Sequence, residues 1–107
     1  MSVTNTRRRD SSIGNSISRE EKKIALLAKL ARKQKIGMNY IPKQKSYSKI
    51  PSHARGGLDG ILDEMWRDAL IEFHKGRKCI SINPGSLDEV TSMIEGEVPD
   101  YILKKLR

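Results

Sequence analysis

One cysteine, Cys79, is all the chain carries. That excludes an internal disulfide and fits a reducing compartment. His53 and His74 are the only other soft ligands, and no spacing among the three matches a zinc site. Cys79 sits in an apolar, strand-like run and reads as a buried small hydrophobe rather than a reactive thiol. No glycine loop leads to a phosphate-binding lysine, and no Ser–His or Cys–His pair stands in a recognisable nucleophile context. The inventory argues against an enzyme, a bound metal or an organic cofactor. No apolar run approaches the roughly 18 residues a membrane span needs, and the N-terminus lacks the apolar core of a secretory signal. The expectation is a cytoplasmic protein with no membrane partner.

Acidic residues are scarce in one half only. Residues 1–55 hold 14 Lys and Arg against 3 Asp and Glu, whereas residues 56–107 hold 7 against 10. A basic half beside a weakly acidic one suggests a surface for a polyanion. At 107 residues there is material for one domain. Residues 1–17 are rich in Ser, Asn, Thr and Arg and too poor in apolar side chains to offset their ordering entropy. They read as a disordered basic tail carrying Arg7, Arg8 and Arg9, suited to a DNA minor groove. Residues 18–107 then form the folded domain.

Ser18 and Glu21 make a capping box, and Ile24, Leu27, Ala28 and Ala31, widened by Leu26 and Leu30, give a helical stripe. With Gly37 as the stop, the helix is expected over 18–36. Residues 38–57 hold two prolines and end on two glycines, which excludes a continuous helix. They are expected to form a structured basic connection with a short helix near 46–50, Tyr40 and Tyr47 packing beneath it. A second helix begins near Gly57, with Leu58, Ile61, Leu62, Met65 and Ala69 in phase and Trp66 read as core. The runs LIEFH and CISIN, separated by KGRK, signal a β-hairpin, with Phe73, Ile80 and Ile82 inward and Glu72 and Ser81 outward. Ser86 and Glu89 suggest another capping box before a helix ending near Ile94. Pro99 suits the start of a last helix bearing Ile102, Leu103 and Leu106. Those three, added to the wide first stripe, suggest a homodimer built on the terminal helices.

The expected class is α+β, mainly α. The order helix, basic connection, helix, two-stranded hairpin with a charged tip, then extra C-terminal helices matches a winged helix, in which a helix approaches the major groove and the hairpin reaches the adjacent backbone. The run I-P-S-H-A-R-G-G at 50–57, the helix LDGILDEMWRDAL after it and the S-I-N-P closing the hairpin resemble small archaeal winged-helix proteins of regulator type, over about a third of the chain. The resemblance implies binding of duplex DNA and a role in transcription regulation. It assigns Pro51, Ser52, His53, Arg55 and Gly56 to the turn before the helix, and Lys75, Arg77 and Lys78 to the wing.

Lys43, Lys45 and Lys49 complete the expected nucleic-acid-binding set. Ser52, His53 and Arg55 lie before a helix N-terminus, where backbone N–H groups favour phosphate. The second helix departs from the pattern: Asp59, Asp63, Glu64 and Asp68 outnumber Arg67. Either it meets DNA through its first turn alone, or that face binds protein. An adaptor or subunit of the same fold, and an RNA-binding protein using the lysine-rich connection, are the competing readings.

Overall fold

The computed structural model describes residues 18–106; the proposed tail with Arg7, Arg8 and Arg9 lies outside them. The order is α1 (Arg19–Arg32), β1 (Ile41–Pro42), 3-10 turns at Lys43–Lys49 and Ser52–Ala54, α2 (Leu58–Arg67), β2 (Ile71–His74), β3 (Cys79–Ile82), a 3-10 turn at Pro84–Ser86, α3 (Leu87–Ile94) and α4 (Asp100–Leu106). The chain is therefore mainly helical around a small antiparallel sheet of order β1-β3-β2, the α+β class expected.

The capping box opens α1 as read: the Ser18 hydroxyl accepts from the Glu21 N–H, and the Glu21 carboxylate accepts from the Ser18 N–H. The helix ends at Arg32, four residues short of the expected 36. Its stop is Gln34, at φ 55°, and not Gly37. The Gln34 N–H bonds to the Ala31 carbonyl and the Lys35 N–H to the Leu30 carbonyl, a Schellman closure. The next residues run to the sheet, where the Lys35 carbonyl accepts from Ile82 and the Gly37 N–H donates to the Ile82 carbonyl. α2 closes the same way on Ala69, at φ 62°, through bonds from Ala69 to Trp66 and from Leu70 to Met65. Ala69 is thus an exposed C-terminal residue, out of the stripe it was assigned to.

The sheet has a third strand where a connection was expected. β1 pairs Ile41 with Ile80 and Pro42 with Cys79; proline is tolerated because β1 is an edge strand. β3 is central, pairing Ile71 with Ile82 and Phe73 with Ile80 on its other side. One sheet face, with Ile71, Ile80 and Ile82, packs into a core made by Leu26, Leu27 and Leu30 of α1, Ile61, Leu62 and Met65 of α2, and Val90 and Ile94 of α3. The other face is covered too, so Ser81 is wholly buried rather than outward. Its hydroxyl donates to the Gly37 carbonyl at 2.7 Å. His74 Nε2 lies 3.0 Å from the Ser81 Oγ, and Tyr40 stacks on the His74 ring at 4.3 Å. Cys79 is only partly buried.

Ser86 makes no side-chain cap, against the second capping box expected. Asn83 takes that task one turn earlier, accepting from the Gly85 N–H, so the 3-10 turn runs straight into α3. Ile102, Leu103 and Leu106 are buried within the chain, where α4 packs on α1 and α3. That stripe is absorbed by the chain's own core. No helix among the described residues is long and apolar enough to cross a membrane.

Candidate functional site

Three segments distant in sequence meet beside the hairpin turn. The β1–β3 ladder continues into the basic connection, where the Lys43 N–H donates to the Lys78 carbonyl at 2.9 Å. Lys43 Nζ then reaches Asp59 Oδ1 in the first turn of α2 at 2.8 Å. From the turn, Arg77 folds back onto Asp63, its guanidinium 4.1 Å from the Phe73 ring centroid and 5.7 Å from that of Trp66. Between them lies an open groove of about 260 Å³ lined by Lys43, Asp59, Gly60, Asp63, Phe73 and Arg77.

The turn is built to aim these side chains. Lys75, Gly76 and Arg77 all have positive φ, at 55°, 64° and 72°, and the Lys78 N–H closes on the Lys75 carbonyl. Left-handed central residues match the twist of a hairpin. At Lys75 and Arg77, which are not glycine, that backbone costs about 1–3 kcal/mol each. The ring contacts and the ion pair of Arg77 offset part of it. Lys75 and Lys78 project into solvent on either side.

The acidic face of α2 is answered mainly from outside the helix. Asp59 is paired with Lys43 and Asp63 with Arg77, and Arg67 stands 4.0 Å from Asp63. Glu64 receives Lys23 and Arg19 of α1, each at 2.5 Å. Hydrogen bonds from Lys23 and then Arg19 hold its carboxyl at about 2, well below the ordinary 4.5. Asp68 is the one carboxylate of this set without an ion pair among the described residues.

The expected binding residues therefore divide. Lys45, Lys49, Ser52, His53, Lys75 and Lys78 are exposed, and their side chains make no ion pair or hydrogen bond among the described residues. Lys43 and Arg77 are held on the carboxylates of α2. Arg55 braces the turn before that helix: Nε donates to the Ile50 carbonyl at 2.9 Å and Nη2 to that of Tyr47 at 3.1 Å. Gly57, at φ 79°, is the N-cap of α2 and offers no side-chain cap.

Two features escaped the sequence reading. Trp66, assigned to the core, is 49% exposed; it flanks the buried stripe of Leu58, Ile61, Leu62 and Met65 and lies 6.2 Å from Phe73. Its position next to Met65 rather than within the stripe was the available signal. His74 and Ser81 form a Ser–His pair through strand register, which local spacing does not reveal. The serine proton goes to Gly37, so the histidine donates to the serine oxygen and the pair fastens β2, β3 and the loop after α1 together. Among the described residues no group of three or more His, Cys, Asp and Glu is placed to hold a metal ion. Compared with known proteins, the chain matches no family model, no curated protein and no solved structure.

Proposed function

We propose that the chain is a winged-helix protein that binds duplex DNA without catalysing a reaction, and that it acts in transcription regulation. The element order and the β1-β3-β2 sheet support the fold assignment: a helix, a short edge strand, a turn-rich connection, a second helix and a hairpin. α2 is then the helix that approaches the major groove, and the 75–78 turn is the wing.

The observation that carries the reading is the division of the cations. Carboxylates on α2 would repel phosphate, but Lys43, Arg77, Lys23 and Arg19 neutralise three of them within the chain. Lys45, two residues from Lys43, and Lys75 and Lys78, which flank Arg77, are left exposed. Lysines so placed need only reach the phosphate backbone to contribute affinity. Ser52 and His53, exposed before α2, stand where a phosphate would meet its first turn.

Fluorescence anisotropy with a labelled mixed-sequence duplex tests the reading. These three contacts alone give a log–log salt slope of roughly 2.7, or about a fortyfold loss of affinity between 50 and 200 mM salt. Binding that ignores salt, or that favours single-stranded RNA over the duplex, contradicts it. A second reading, a protein-docking adaptor, is favoured by one observation: an exposed tryptophan beside an arginine on α2, the residue types that dominate protein contacts.

A further inference from the structure

Beyond the groove, we propose that Lys29, Arg32 and Lys33 of α1, together with Lys49 of the 3-10 turn, form a second phosphate-binding surface for duplex nucleic acid. It rests on the same partner as the reading above but on none of the residues that carry it.

The three α1 residues stand at i, i+3 and i+4 and so occupy one face of the helix. The segment Lys43–Lys49 packs along α1, with Ser46 and Ile50 buried, and this brings Lys49 to the same face. None of the four has a carboxylate partner among the described residues; Arg32 donates instead to the Glu97 backbone carbonyl at 2.8 Å. Burial of its stem and crowding by Lys33, Lys49 and Arg32 lower the pKa of Lys29.

Cations near a helix C-terminus are favoured by the helix dipole, and that accounts for basic residues in the last turn of α1. It does not account for Lys49, which comes from another element and adds like-charge repulsion the fold does not need. The chain pairs its cations with carboxylates at the other end of the same helix. A cluster left without an internal counter-charge has phosphate as its natural complement, since a polyanion relieves the repulsion and gains the released counterions.

The test compares two variants on the same mixed-sequence duplex, each checked for an intact thermal transition. Lys33→Gln with Lys49→Gln removes the cluster; Lys45→Gln with Lys75→Gln and Lys78→Gln removes the groove rim. The first should reduce the salt slope by about 1.8, and the two effects should add. The Lys33→Arg, Lys49→Arg variant should restore the slope. NMR titration of Lys29 in the unaltered protein gives an independent readout: adding the duplex should raise its pKa. An unchanged slope in the cluster variant, or an unmoved Lys29, overturns the inference while leaving the groove reading intact. A fall in the cluster variant with none in the rim variant supports the inference and removes the groove.

Discussion

At its N-terminal end α1 sets Arg19 and Lys23 against Glu64 of α2; at its C-terminal end Lys29, Arg32 and Lys33 meet no carboxylate among the described residues. Each end carries three basic residues, with Glu20 and Glu21 among them at the N-terminal end alone, yet one charge set holds helices together and the other has no internal counter-charge. The same contrast recurs at the groove, where Lys43 and Arg77 are bound to α2 while Lys45, Lys75 and Lys78 are exposed. Net charge therefore says little about where a polyanion would sit. What matters is which cations remain after the internal pairs have formed.

The inward side of this contrast breaks most visibly at Ser81. Ser81→Ala leaves the Gly37 carbonyl without its donor and His74 without its acceptor in a buried site. The expected loss is about 1–3 kcal/mol of unfolding free energy, read by denaturant titration. A change below a few tenths would show that water replaces the hydroxyl.

Acid sharpens the contrast next. The folded-state pKa of Glu64 lies below its ordinary value, so its contribution to stability is fully present above about 4.5 and is lost as the pH falls from there towards 2. Glu64→Gln should lower the melting temperature at neutral pH and flatten the decline over that acid window. An identical acid limb in both proteins would show that the pair with Lys23 and Arg19 contributes nothing.

Much of this architecture was legible in the sequence, and the misses share physical causes. Ser18 and Glu21 marked the start of α1 because a cap is a local bond. The ends of α1 and α2 were misplaced because Gln34 and Ala69 take the left-handed position where glycine is the usual sign. β1 was missed because it is two residues long and contains Pro42, so nothing in its own pattern shows a period of two. Its existence depends on β3, nearly forty residues on. Ser81 was placed outward by alternation, which holds only while one face of a sheet is open; Tyr40, His74 and Gly37 close it. At the site, local runs revealed Lys75, Arg77 and Lys78, but only tertiary contact shows that Arg77 is bound to Asp63 and its two neighbours are not.

Gly60 offers a smaller test of the groove. It lines the groove in the first turn of α2, and a methyl group there would meet nothing within 4 Å. The fold does not require glycine at this position. Gly60→Ala should stabilise the protein by roughly 0.5–1 kcal/mol and weaken duplex binding if backbone approach at this point matters. Stabilisation with unaltered binding would take Gly60 out of the interface. The smallest effects are expected at the helix ends, where Gln34→Gly and Ala69→Gly remove left-handed strain and should each raise stability by at most about 1 kcal/mol.

The central claim is that cations unpaired within the chain, and not basic charge in general, carry binding. It is tested most directly by removing similar charge from the two sets: Arg19→Gln with Lys23→Gln against Lys75→Gln with Lys78→Gln, each titrated with one duplex across a salt series. The account predicts that the first variant melts earlier with the salt slope of the unaltered protein, while the second melts normally and loses about 1.8 from the slope. Equal slope losses in both variants would contradict it.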